Sequence, residues 1–385
     1  MHLQNIKRSK PALFTAALAF FFGAISFVIT PNGSAQKIKQ LPPPPPVPRL
    51  KPKPTPTPEP IEYEVVKISS NLIVVPVSVT DVQGQPVLGL QPSDFRIQED
   101  GRQQQIAQMG DPGQVPLDIA ILIDISSSVS SKGFFTFEKE AATRFLSEVL
   151  KPADTATIFA IDREPRLEQS RAPASVATAR LLTISGATGP SPTAFYDTVS
   201  AAARYLAANT PEQHRRVIVA ISDGEDNFSN SVRDSSIAAY RATETEDLNS
   251  PASRQRMLAT VQTVSREAHR KAQAIVQRDL QTANAVFYAI NPSGEGYRLN
   301  IISVRAQEMM NGLAVATGGA AFVPGGNKDL TYVFNRITSE LRAQYLLQYY
   351  SDNKAGIEFR RINVTAPSHP ELRVRAREGY YPKAK

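Results

Sequence analysis

Residues 117–130 read LDIAILIDISSSVS, and no other stretch constrains the chain as tightly. Ile119, Ala120, Ile121, Leu122 and Ile123 form an unbroken apolar run of strand length, as expected for a central parallel strand covered on both faces. The run stops at Asp124, followed by Ser126 and Ser128, which spells D-x-S-x-S. Open α/β sheets bind ligands beyond the carboxyl ends of their strands, so one carboxylate and two hydroxyls leave this strand where a ligand would sit. Hard oxygen donors of this kind suit Mg²⁺ or Mn²⁺. The motif alone is a weak signal, and its position directly after a buried strand gives it weight.

Downstream, strands alternate with helices. Helical spacing through Phe137, Ala141, Phe145 and Val149 covers 134–150, and further helices are expected over 175–182, 194–208, 304–317 and 330–341. Apolar strands are expected at 155–161 (TATIFAI), 216–221 (RVIVAI) and 285–290 (AVFYAI). This alternation predicts an α/β fold with a doubly wound, mostly parallel sheet. Residues 231–282 exceed one crossover and contain an amphipathic helix through Leu258, Val261, Val264, Ala268, Ile275 and Leu280, so a helical insertion is expected beside a ligand loop.

On either side of this region, at 61–112 and 343–385, the periodicity is that of strands, with Asp81 and Asp100 as turn formers. β material at both ends predicts that the α/β domain, 113–342, is inserted between N- and C-terminal β segments that pack together as a smaller accessory β domain.

The net charge of +7 is confined to the N-terminus. Residues 1–35 carry Lys7, Arg8 and Lys10 without an acid, and residues 36–60 carry five cations against Glu59, so the remainder is about neutral. A nucleic-acid partner is therefore not expected. Lys7, Arg8 and Lys10 precede an apolar stretch over 12–29 and small residues at 33–35, the layout of a signal peptide or of a retained membrane anchor. Residues 36–60 are a proline-rich linker of polyproline II character. The chain has no cysteine, which excludes disulfides, thiolate metal sites and cysteine nucleophiles.

Two further segments bear on the D-x-S-x-S loop. GPSPTAFYDTV places Thr193 at the start of a helix, and RRVIVAISDGEDNFS places Asp223 at the carboxyl end of an apolar strand. With these pieces the chain resembles the von Willebrand factor type A domain, whose metal-ion-dependent adhesion site is written Asp-x-Ser-x-Ser, a Thr on a second loop and an Asp on a third. The matching positions are Asp124, Ser126, Ser128, Thr193 and Asp223. The flanks SDFRIQEDG, TGGAAFVPGG, ELRAQYLLQYY and LRVRAREGYYP are similar to those of exported bacterial VWFA-related domain proteins. The resemblance implies an exported protein, periplasmic, cell-surface or secreted, that is not an enzyme. It further implies a Mg²⁺ or Mn²⁺ ion gripping the Asp or Glu side chain of a protein ligand. Glu225 and Asp226 stand close enough to modulate the site, although solvated turn residues are the expectation for both. Two other functions fit less well. A metal-dependent hydrolase needs a general base, and the histidines, His2, His214, His269 and His369, stand away from the ligand loops by sequence position. An envelope-assembly scaffold would leave the metal site unused.

Overall fold

A computed structural model describes residues 72–126, 135–189, 191–243, 250–352 and 356–382. The expected signal peptide or anchor, the proline-rich linker and Ser128 lie outside the described residues. The chain begins its described course with β1 (Leu72–Thr80), β2 (Arg96–Glu99), β3 (Arg102–Gln104) and β4 (Ile106–Gly110). The α/β part follows as β5 (Leu117–Asp124), α1 (Phe135–Val149), β6 (Thr155–Ile161), β7 (Arg166–Ala172), α2 (Ala174–Thr183), α3 (Phe195–Asn209) and β8 (Arg215–Ile221). It continues through α4 (Asn230–Thr243), α5 (Pro251–Thr282), β9 (Ala285–Ile290), α6 (Ile301–Thr317), β10 (Ala321–Phe322) and α7 (Asn327–Ala343). The closing strands are β11 (Tyr345–Tyr350), β12 (Arg360–Thr365), β13 (Arg373–Ala376) and β14 (Gly379–Tyr380).

β5 occupies the middle of a six-stranded sheet of order β10-β9-β8-β5-β6-β7. It pairs in parallel with β6 on one edge and β8 on the other, so its backbone donors and acceptors are satisfied on both sides. Every residue of β5 is buried. Ile119, Ile121 and Ile123 face a layer built by α1, α2 and α7, whereas Ala120 and Leu122 face α3, α5 and α6. The unbroken apolar run is thus explained by alternation between two cores rather than between a core and water. The chain leaves β5 first toward β6 and later returns to its other edge as β8, and the strand order reverses between β5 and β8. Doubly wound sheets open a crevice at such a point, beyond the carboxyl ends of the two strands.

The N- and C-terminal β segments interleave. β11 lies between β1 and β4, and β1 also pairs with β13; in a second sheet β12 lies between β2 and β14. A separate core of Val75, Val77, Ile97, Leu347 and Tyr349 joins the two sheets. Neither segment has its own core, so strand pairing between residues more than 250 positions apart holds this β layer together.

β7 carries no apolar signature, because its sequence RLEQSRA is polar; it is an edge strand, antiparallel to β6, and edges tolerate charged side chains. The segment expected as an insertion comprises α4 and the 32-residue α5. The buried stripe of α5 runs through Ala268, Ala272, Val276 and Leu280, while Leu258 and Ile275 are exposed. Ile275 adjoins Val276, and one residue turns a helix by about 100° away from a given face. The carboxyl-terminal half of α5 covers the sheet with Ala272, Val276 and Leu280, as the ordinary crossover helix between β8 and β9 would. Only the chain ahead of that half is additional.

After α6 the chain passes close over β9. A Cβ on Gly319 would fall 2.0 Å from the carbonyl oxygen of Phe287, an interior backbone atom that cannot swing aside. Gly319→Ala is expected to lower unfolding free energy by about 1–3 kcal/mol in denaturant titration; an unchanged midpoint would show that the crossing relaxes freely.

Candidate metal site at the carboxyl ends of β5 and β8

Four of the five residues read from the sequence lie in the described part, and all four stand on the three loops at the reversal of strand order. Asp124 ends β5 and is wholly buried; Ser126 is 2% exposed, Thr193 6% and Asp223 4%. The fifth, Ser128, lies outside the described residues. These four side chains are therefore buried rather than open to solvent.

Hydrogen bonds tie the loops together. Ser222, between β8 and Asp223, donates its hydroxyl to Asp124 Oδ2 at 2.6 Å, which joins the first loop to the third. The Ser126 amide donates to Asp124 Oδ1 at 2.9 Å, and the Glu225 amide to Asp223 Oδ1 at 3.2 Å. The second loop is bound to the third through backbone and side chain: the Thr193 amide donates to Asn227 Oδ1 at 2.8 Å, while the amides of Asn227 and Phe228 both donate to the Thr193 carbonyl at 3.1 Å. Gly224 turns the third loop with φ +74°, a conformation glycine adopts without penalty, and its amide donates to Ser222 Oγ.

Asp226 does not behave as a solvated turn residue. It is 7% exposed and accepts the Tyr196 amide at 2.9 Å and the Ser229 amide at 3.0 Å. It therefore caps the amino end of α3 from another loop, while Ser229 Oγ accepts the Asp197 amide at 3.0 Å beside it. These caps hold Thr193, two residues before α3, in place. Glu225 accepts a hydrogen bond from the Ser303 hydroxyl of α6. Sequence reasoning missed Ser222, Asn227 and Ser229; the run ISDGEDNFS, dense in small polar residues directly after a buried strand, carries their signal.

The two ends of β5 differ in electrostatics. Near its amino end, burial pushes the Asp118 carboxyl up, but hydrogen bonds from Arg171, Thr155 and His214 together with the Arg171 charge outweigh burial and hold it below its ordinary value. At the carboxyl end, burial and the neighbouring charge of Asp223 push the Asp124 carboxyl up, and the Ser126 and Ser222 hydrogen bonds offset only part of this. Among the described residues no Lys, Arg or His forms an ion pair with Asp124. Among the described residues, cations meet the carboxyl at the amino end of the strand and none pairs with Asp124 at the other. Two buried carboxyl groups side by side are unfavourable as anions unless positive charge lies between or beside them.

The donor chemistry fits a hard divalent cation: two carboxylates with hydroxyl-bearing side chains on three loops, and no nitrogen or sulfur among them. Among the described residues no group of three or more His, Cys, Asp or Glu gathers at one point, so such an ion would depend on hydroxyl and water oxygens as well. His214 lies at the opposite end of the sheet, its Nδ1 2.6 Å from Asp118 Oδ2. His269 is half-buried on α5, its Nδ1 3.2 Å from the Tyr196 hydroxyl.

Solved structures similar to the chain include the proximal thread matrix protein 1 of the mussel byssus with a zinc-occupied MIDAS motif, at 12% identity and a TM-score of 0.40 over 64% of this chain and 50% of that one. A von Willebrand factor type A protein from Catenulispora acidiphila is 13% identical, with a TM-score of 0.39 over 72% and 51% of the two chains. The vWF domain of a type V pili tip protein from Porphyromonas gingivalis is 12% identical, with a TM-score of 0.39 over 58% of this chain and 94% of that domain. The chain thus spans about half the length of the byssus protein. No protein-family model and no curated protein matches the chain.

Removing the cap should loosen the site without abolishing the fold. Asp226→Ala is expected to cost about 1–2 kcal/mol of stability by chemical denaturation; full retention would show that Asp226 does not hold α3. A raised carboxyl costs the fold stability as pH climbs from its ordinary value, because the unfolded chain sheds that proton first. In chelator, the Asp124→Asn variant should therefore gain stability relative to the parent between about pH 4 and pH 7. Parallel pH profiles would mean that Asp124 bears no such load.

Proposed function

We propose that this protein is an exported, non-catalytic binding module that holds a divalent cation, Mg²⁺ or Mn²⁺, at Asp124, Ser126, Ser128, Thr193 and Asp223 and uses it to grip an Asp or Glu side chain of a partner protein. The observation that carries the reading is the burial of Asp124 beside a second carboxyl, Asp223, at the carboxyl ends of the strands where strand order reverses. The hydroxyls of Ser126, Ser128 and Thr193 would add neutral oxygens, so that net charge around the ion stays small. When bound, the ion would keep a coordination position for an outside carboxylate, since Mg²⁺ favours six oxygens.

The residues of this chain do the positioning. Ser222 orients the Asp124 carboxyl, Asn227 fixes the Thr193 backbone, and Asp226 with Ser229 anchors the amino end of α3 behind it. These bonds set the spacing of the three loops in advance, which lowers the ordering cost of capturing a partner. Export rests on the cationic and apolar N-terminus of the sequence. Among the described residues no helix is long and apolar enough to cross a membrane. A hydrolase reading lacks support here, because the Asp118–His214 pair stands at the far end of the sheet from Asp124.

Calorimetric titration of Mg²⁺ and Mn²⁺ into the purified protein should give saturable binding that is lost in Asp124→Asn and weakened at least about tenfold in Thr193→Ala. An acidic peptide held on the protein should then be released by chelator. Metal binding of equal strength in both variants would remove these residues from the site, and capture that survives chelator would remove the metal bridge.

A further inference from the structure

A cavity of 630 Å³ opens at the junction between the α/β part and the β sheets, near the amino ends of β8 and β9 and remote from Asp124. Its wall carries Arg215, Arg216 and Arg377, and their guanidinium groups are bonded to neutral oxygens only. Arg215 donates to the carbonyls of Leu341 and Pro112 and to Gln344 Oε1; Arg216 to the carbonyls of Ala283, Thr210 and Pro211; Arg377 to Asn284 Oδ1 and the Val74 carbonyl. In each of the three the Nε donor is buried without an acceptor, and so is Nε2 of Gln281, a fourth wall residue. Arg216, Arg377 and Gln281 are 6%, 8% and 4% exposed. The acid lining this cavity is Glu212, which is exposed.

Unmet donors on buried side chains are rare in folded proteins, and an uncompensated buried charge is costlier than an unmet amide. The charges of Asp154 and Asp111 on Arg215, of Asp118 and Glu212 on Arg216 and of Glu99 on Arg377 offset their burial only in part, so three cations around one cavity favour a ligand of negative charge. The remaining wall includes Leu280, and the exposed Ile357 adds apolar surface at the mouth. We propose that this cavity is a binding site for a small organic carboxylate with an apolar body. Its carboxylate is drawn by the field of Arg215, Arg216 and Arg377 and its body packs on Leu280 and Ile357. Arginine makes forked contacts with planar anions, so guanidinium groups around a cavity suit a carboxylate better than a neutral group. A volume of 630 Å³ lies within the range of small-molecule sites, which are concave, mostly apolar and provided with a few polar groups.

The test uses the full chain in chelator, so that the cation site takes no part. Binding of 4-phenylbutyrate, its neutral amide 4-phenylbutyramide and inorganic phosphate is measured by calorimetry, alongside thermal unfolding. Saturable binding of the carboxylate is expected, at least about tenfold weaker for the amide and for phosphate, and weakened to a similar degree in Arg377→Gln. Because Arg377→Gln can disturb the fold, Gln281→Glu provides a second arm. It places a carboxylate in the wall, and it should abolish phenylbutyrate binding while raising the midpoint of thermal unfolding. Failure of phenylbutyrate to bind the folded parent, equal binding of the amide, or phosphate binding as tight as the carboxylate would overturn the proposal. So would a Gln281→Glu protein that binds phenylbutyrate as the parent does.

Discussion

β5 is hydrogen-bonded along both edges and covered on both faces, and the rest of the molecule depends on that enclosure. A strand so placed has no contact with water along its length, so each of its side chains must be apolar or find a partner. Ile119, Ile121 and Ile123 meet one core and Ala120 and Leu122 the other, where α3 and α5 approach. Only the ends of β5 carry charge, and there the two aspartates face opposite circumstances. Asp118 is met by Arg171, Thr155 and His214; Asp124 is met by hydroxyl and amide donors and by a second carboxyl. The same burial thus accompanies a carboxyl held below its ordinary value at one end and one pushed above it at the other.

The three loops beyond β5 and β8 convert this asymmetry into a site. A carboxyl that is costly to ionise binds a cation well only if its geometry is fixed beforehand, since otherwise the loops would close around a proton or collapse on their own donors. Ser222 on Asp124, Asn227 on Thr193 and Asp226 on the amino end of α3 supply that fixation from one short segment, residues 222–229. The third loop therefore serves as a frame for the other two, beyond contributing Asp223.

The β layer shows a different kind of dependence. β1 and β11 pair across almost the whole chain, and β2 and β12 do the same in the second sheet, so the α/β part interrupts a β unit that neither segment can build alone. The cavity at the junction is a consequence of this arrangement: Arg377 and Tyr380 reach it from the carboxyl-terminal segment, and Arg216 and Gln281 from the α/β part. Buried guanidinium groups bonded to carbonyls are tolerated there because each has several neutral acceptors, and the acids near them, Asp118 and Glu212 for Arg216 and Glu99 for Arg377, offset part of the cost of burial.

Sequence by itself determined the features that rest on local pattern. The apolar run before Asp124 required a doubly covered strand; RVIVAI and AVFYAI required two more; and the spacing of Phe137, Ala141, Phe145 and Val149 required a helix. The positions of Asp124, Ser126, Thr193 and Asp223 at strand and helix ends followed from the same reading. Tertiary structure decided what pattern cannot encode. β7 is polar because an edge strand packs on one face, so its sequence carries no apolar signature. Asp226 reads as a turn residue and becomes a cap only because α3 begins beside it. The face that α5 buries depends on which of its residues reach the sheet, and Ala272, Val276 and Leu280 do so. The junction cavity exists only where segments far apart in sequence meet, since periodicity reports which side of an element is buried and not what lies against it.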